Sequence, residues 1–427
     1  MSKWLVTRRA LIVSTCASLV AGIPAFGAVV PLVKLAQTPG TDSLVLTVSS
    51  STSGNGFIEY GLKSGIYSSK SAQFRFTKGI AKAVTISGLG SGTKIFYRLR
   101  YSFGSKIFLA TKVASASTSK AGGSYIFAVQ ADPHMDENSS SEIYNKTLDL
   151  IAGSGASFLM DLGDIFMVDK LADKSEVNIR ARYELMKGFY SRLKTVPLKI
   201  TLGNHDGELG YSTFNTKKYR AEYFPEQTGQ VSYFAMSEAN AIHIALDPFT
   251  YTTSNPKADG WQWTLGKTQY DWLKTTLETS TAKFRYIYIH HLLVGDAQSR
   301  GGTKIAMFNE WGGKNQDGTY GFDQMRPGWY KPIHTLLKEQ HVAIVFKGHD
   351  HLYVKEELDG IIYQTLPQPS HPGDGTNSAI GYGYGAGKVI GGSGYLKVST
   401  TDAGATVDFV KYDGITADTY SISAPIF

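Results

Sequence analysis

Tyr125-Ile-Phe-Ala-Val-Gln-Ala-Asp-Pro-His134 decides how the chain reads: a run of mostly apolar side chains of the kind buried on both faces of a sheet leads directly into Asp132 and His134. The same arrangement recurs four times. Residues 156–160 lead into Gly163-Asp164, 197–202 into Gly203-Asn204-His205-Asp206, 284–289 into His290-His291, and 342–347 into Gly348-His349-Asp350-His351. Helical spacing over 141–152, 177–193, 267–278 and 332–339 separates these strands, and 241–247 reads as a further strand of the same core. Polar donors at the carboxyl ends of strands that alternate with helices occupy the place where α/β sheets put their sites. Ordinary turn chemistry explains any one motif, since Asp caps turns and Gly and Asn tolerate positive φ. It does not explain five such motifs at five strand ends.

Upstream the composition changes. Residues 35–113 are rich in Ser, Thr, Gly and β-branched side chains, with short runs at 43–48, 56–60, 82–86 and 94–101. Strands punctuated by turns every ~8 to 12 residues predict a small all-β sandwich. Residues 114–123 contain only Ala, Ser, Thr, Lys and Gly and read as a linker to a catalytic region at 124–427. Within that region, 296–329 is a long stretch rich in Gly and aromatics. Trp311, Tyr320, Phe322, Arg326 and Trp329 are its candidates for gripping a substrate, and packing of the loop is the ordinary role of such aromatics. The glycine-rich stretch 375–394 reads as an irregular surface loop, and 394–398 and 406–412 alternate as closing strands.

Residues 1–27 read as a targeting signal, with a basic start, an apolar run over 10–22 and small residues at 24–28. Thr7-Arg8-Arg9-Ala10-Leu11-Ile12 fits a twin-arginine signal, with a general secretory leader as the alternative. The apolar run is shorter than the ~20 residues a spanning helix requires, so export to the periplasm or beyond is expected, without a membrane span in the mature chain. Cys16, the only cysteine, lies in that run, so a metal in the mature chain must be held by carboxylate, amide and imidazole. The net charge of +7 falls to about +4 without Lys3, Arg8 and Arg9, too mild and scattered a balance for nucleic acid.

The ordered set Asp-x-His, Gly-Asp, Gly-Asn-His-Asp, a lone His and Gly-His-x-His resembles the calcineurin-like metallophosphoesterase superfamily over residues 124–355. Ile-Glu-Tyr-Gly at 58–61 and Leu89-Gly-Ser-Gly-Thr-Lys-Ile-Phe-Tyr97 resemble the fibronectin-like domain that precedes the catalytic domain of purple acid phosphatases. The resemblance implies an α/β catalytic domain with a two-sheet core flanked by helices, and two transition-metal ions drawn from Mn, Fe, Zn or Co. It further implies hydrolysis of a small phosphate ester by attack of metal-bound hydroxide. By the same resemblance Asp164 bridges the ions, Asp132, His134 and His351 complete one site, and Asn204, His290 and His349 complete the other. His205 is the implied general acid, with Asp206 orienting its imidazole. The superfamily's His-x-Pro pattern gives His290 the ligand role, although Leu292 replaces the proline, and strand alternation lets only one of the two neighbours face the metals. His291, Arg326 and His371 are then candidate substrate contacts.

One departure narrows the resemblance. Purple acid phosphatases have Gly where His134 stands and a metal-binding Tyr where this chain has Met167, so a non-purple phosphatase is expected. Hydrolysis of phosphate monoesters is the leading reading. A phosphodiesterase acting on nucleotide or phospholipid headgroup esters, and a surface-binding protein with an idle metal core, are the alternatives.

Overall fold

The computed structural model describes residues 33–424 apart from 40–41, 79–81, 105, 119–121, 208–216, 225–232, 254–258, 295–299 and 386. The expected targeting segment 1–27 lies outside the described residues. At the N-terminal end, strands Val33–Pro39, Ser43–Ser50 and Lys82–Ser87 form one antiparallel sheet. A second sheet is built on the pair Gly54–Gly61 and Lys94–Ser102. Leu44, Leu46, Val48, Ile58, Phe76, Ile86, Tyr97 and Leu99 fill the space between the two, as alternation in half-buried strands requires. The first residues of the linker expected at 114–123 are strand instead. Ala114–Ser117 pairs with Lys94–Ser102 as a further strand, because small side chains suffice at a sheet position where backbone hydrogen bonds do the holding.

The remainder is two sheets packed face to face. One has the strands Leu198–Ile200, Leu159–Asp161, Tyr125–Gln130, Gly394–Thr400, Gly404–Lys411 and Thr416–Ser423, in that order. The other runs Phe234–Glu238, Ala241–Ala245, Phe284–Ile289, Ile344–Lys347, Ile361–Thr365, Tyr353–Leu358 and Lys388–Ile390. Phe127, Val129, Met160, Tyr286, Tyr288, Phe346, Leu396, Val398 and Phe409 lie between the sheets. Each such side chain contributes about 1.5–3 kcal/mol by leaving water. His243 is held in this layer by Tyr125 Oη at 2.9 Å and Tyr288 Oη at 2.7 Å, so its role is structural. Outer faces are covered by helices, Ser141–Gly153 and Glu176–Tyr190 on one side, Gly266–Thr279 and Ile333–Glu339 on the other. Central strands therefore bury both faces, which is why they read as continuous apolar runs.

Boundaries shift in small ways. The second helix ends at Tyr190, and Ser191–Leu193 tightens into a 3-10 turn. The strand expected at 156–160 forms at Leu159–Asp161, after a turn in which Gly155 takes a φ of 75°. No helix among the described residues is long and apolar enough to cross a membrane.

Candidate metal centre

Register delivers the motifs to one place. Gln130 lies opposite Asp161 and Asp161 opposite Ile200 in parallel pairing, so three chains leave the first sheet at the same level. In the second sheet Ile289 lies opposite Lys347, bringing His290 beside Gly348. The two sheets are then joined across the site, where the His349 N–H donates to Asp132 Oδ2 at 2.8 Å. Asp132, His134, Asp164, His349 and His351 all take φ between 51° and 72°, a region that a Cβ disfavours. Strain of this kind persists where the surroundings over-determine the backbone. The Asp132 N–H donates to the Gly163 carbonyl, the His134 N–H to that of Asp164, and the Gly348 N–H to that of His290. The glycine of Gly163-Asp164 has its own reason: a Cβ there would stand 2.1 Å from the Gly203 nitrogen.

Two donor clusters result. Asp132, His134 and His351 offer ligand atoms within 4.8 Å of one another, and so do Asp164, His290 and His349. Asp164 Oδ2 stands between them, 3.6 Å from His134 Nε2 and 3.4 Å from His290 Nε2. Asn204 Oδ1 joins the second cluster at 3.1 Å from His290 Nε2, whose Nδ1 is fixed by the Leu162 carbonyl at 2.9 Å. Asp136 fixes His134 in the same way, Oδ2 to Nδ1 at 3.2 Å. Anchoring one ring nitrogen aims the other, as second-layer partners do around metal ligands.

The electrostatics fit cations. Burial works against charge on His134, but its hydrogen bond to Asp136 and the nearby Asp164 and Asp132 carboxylates push it up to about 10. Burial likewise opposes charge on His290, which the Asp164 and Asp132 carboxylates raise to about 9. Burial would raise Asp164, yet the surrounding imidazoles hold it well below the usual carboxylate range. Among the described residues, Asp132 Oδ1 and His134 Nε2 are buried without a hydrogen-bond partner, a costly arrangement that a bound ion relieves. An oxygen and nitrogen donor set of this kind fits two transition-metal ions.

A family model described as calcineurin-like phosphoesterase matches residues 126–353, more than half of the chain. The chain belongs to the calcineurin-like phosphoesterase family. It is accordingly a metal-dependent phosphoric ester hydrolase of a family that uses a dinuclear metal centre. Among curated relatives, tartrate-resistant acid phosphatase type 5 of Oryctolagus cuniculus is 23% identical over 61% of this chain and 77% of its own length. The Mus musculus protein of the same name is also 23% identical, over 61% and 76%. Among solved structures, purple acid phosphatase PPD1 of Lupinus luteus superposes with a TM-score of 0.52 at 14% identity, covering 92% of this chain and 74% of the other. PhoD gives 0.52 at 12% identity, covering 91% and 88%. These structures share the fold.

Around this phosphoesterase centre several residues have partners other than those expected. His205 does not lean on Asp206. Its Nδ1 meets Asp169 Oδ2 at 2.8 Å, and its Nε2 faces Asp164 Oδ2 at 4.0 Å. Asp206 is fully buried and accepts the backbone N–H groups of Gly203, Asp164, Ile165 and Phe166 at 2.6–2.9 Å. The backbone thus holds its carboxylate. His291 is in neither donor cluster: its Nδ1 bonds the Leu292 carbonyl, its ring packs among Phe249, Trp263 and His349, and burial lowers it to about 3.

Arg326, a candidate substrate contact, is engaged within the protein. Its guanidinium pairs with buried Glu310 and donates to the Trp261, Trp263 and Met325 carbonyls, fastening the long loop. Trp311 and Phe322 are buried in that loop, which also contains two short helices, Asn309–Gly312 and Phe322–Met325. His371 lies outside both clusters, its Nδ1 3.3 Å from the Asn138 carbonyl, while neighbouring Ser370 holds the Pro133 carbonyl at 2.8 Å. Sequence reasoning missed Asp169, Asp136 and Arg182. Arg182 clamps the His134, Met135 and Phe166 carbonyls from the second helix, and no motif spacing marks it.

Proposed function

We propose that the protein is an exported, non-purple phosphomonoesterase. Asp132, His134 and His351 would hold one metal ion and Asn204, His290 and His349 the other, with Asp164 shared. Bound there, the ions supply Lewis-acid polarisation of the phosphoryl oxygens and acidify a water. The observation that carries the reading is His205 beside the shared carboxylate. Burial works against its charge, but Asp164 and Asp169 raise its pKa above the ordinary imidazole value, so Nε2 keeps a proton to give to a departing alkoxide. Asp169 holds Nδ1 and so fixes which nitrogen delivers that proton. The acid phosphatase relatives support monoesters as the substrate class. Met167 at the tyrosine position supports a centre without the purple phenolate band, residues 1–27 support export, and the two-sheet N-terminal region supports a fibronectin-like domain.

The test compares kcat/KM of metal-loaded protein on p-nitrophenyl phosphate and on the bis-ester. Monoester turnover at least about tenfold ahead is expected, since a shift of 1.4 kcal/mol in transition-state binding suffices. Diester preference, or no metal-dependent turnover of either, would sink the proposal. Fractionation of the native host tests export, and a visible charge-transfer band on iron loading would contradict the non-purple assignment.

A further inference from the structure

Beside the His349 end of the donor set stands a cation that the chemistry above does not use. Lys347 and Asp350 are fully buried and paired at 2.8 Å, so the carboxylate within Gly348-His349-Asp350-His351 already has a neutralising partner. Arg300 approaches the same carboxylate, Nη1 3.3 Å from Oδ1, and also donates to the His349 carbonyl. It therefore adds a second cation beside His349. Its side chain keeps 24% of its exposure, so solvent-borne groups reach it, and its guanidinium lies 4.8 Å from the Tyr382 ring centroid, which supports its plane.

The chain following Arg300 is built to keep it there. The Gly301 N–H donates to Asp350 Oδ2 at 2.9 Å, and the Thr303 N–H to buried Glu356 at 2.8 Å. Gly301 has a φ of 110°, and a Cβ on Gly302 would stand 1.8 Å from Glu356 Oε2. The Gly301 and Thr303 N–H groups, latched onto two buried carboxylates, fix the backbone that follows the arginine. Tyr384 Oη, from the glycine-rich segment, closes on Asp350 from the other side.

We infer that Arg300 is a specificity-determining residue, its guanidinium taking up the second negative charge that distinguishes a phosphate monoester from a diester. This deepens the phosphomonoesterase reading and rests on it. A cation here favours the doubly charged monoester phosphoryl group, and a diester offers one charge fewer.

The experiment uses the full metal-loaded chain and the variants R300Q and R300K. R300Q is expected to lose about 10–100-fold in kcat/KM on p-nitrophenyl phosphate while changing less than about threefold on the bis-ester, with metal content and melting temperature unchanged. R300K keeps the charge and is expected to hold the monoester-to-diester ratio within about threefold of wild type. Binding of inorganic phosphate, read by calorimetry, is expected to weaken in R300Q by at least about tenfold. Equal losses on both substrates would make Arg300 merely structural and overturn the inference, as would a tenfold collapse of the ratio in R300K. The phosphate titration separates this inference from the parent reading. A wild type that turns over no monoester yet binds phosphate through Arg300 defeats the activity alone, and equal phosphate affinity in wild type and R300Q defeats the inference alone.

Discussion

An imidazole that must give a proton from Nε2 needs its Nδ1 held, and at His205 that task falls to Asp169. D169N is expected to lower kcat about 10–100-fold with both metals retained, the size seen when a partner behind a functional imidazole is lost. The acidic and basic limbs of its pH–rate profile should shift, which a purely structural role would not produce. D206N should instead act on stability, because it weakens four backbone hydrogen bonds at a buried carboxylate. Asp206 drew attention in the sequence because it lies inside Gly-Asn-His-Asp, while Asp169 lies five residues beyond Asp164 with no motif to mark it. The neighbouring histidines divide in the same spirit. H290A should lose about one metal ion per chain by elemental analysis, and H291A should keep both, since only His290 faces Asp164 and Asn204. Strand alternation let only one of the two neighbours face the donors, and the aromatic pocket that receives His291 left no mark in the sequence.

At the scale of elements, the strands were the legible part, because burial on both faces writes an uninterrupted apolar run. Turns were legible only where a motif glycine stood. G163A tests how closely two strand ends are pressed together, as its Cβ would meet backbone atoms of Leu202 and Gly203 at 2.1–2.7 Å and its φ of 103° excludes most side chains. Neither neighbour is a flexible side-chain tip, so the chains must separate. The expected cost exceeds about 3 kcal/mol, read as a lower urea midpoint or loss of soluble protein, and an unchanged midpoint would contradict this packing. The loop over 296–329 shows the converse. Its aromatics suggested a substrate surface, but Trp311 is buried with its indole N–H on Tyr363, and Arg326 closes onto Glu310. Composition reports that a long loop must be held, and only packing shows whether it holds itself or a ligand.

At the scale of the whole molecule, the site exists because two sheets meet, and its defining contact joins Asp132 to His349 across 217 residues of chain. No local pattern carries that distance; the ordered motifs carried it only through resemblance. The same meeting of sheets couples metal, protons and stability. Before metal is added, His134 and His290 have pKa values raised from 6.5 to about 10 and about 9, so their ion pairs stabilise fully below about pH 6.5 and fade as pH rises through those values. Metal ligation requires neutral imidazole, so loading must displace protons that the carboxylates otherwise retain. Stabilisation by saturating manganese is therefore expected to grow between about pH 5.5 and pH 8.5, reaching about 2.7 kcal/mol wherever the free ion exceeds Kd a hundredfold. Calorimetry in buffers of different ionisation enthalpy should show net proton release on loading near neutrality. A metal-induced rise in melting temperature that is flat with pH, with no protons released, would mean that His134 and His290 keep their protons and do not ligate. The two clusters would then be ion pairs between carboxylate and imidazolium, and the strained backbone at five of their residues would need another cause.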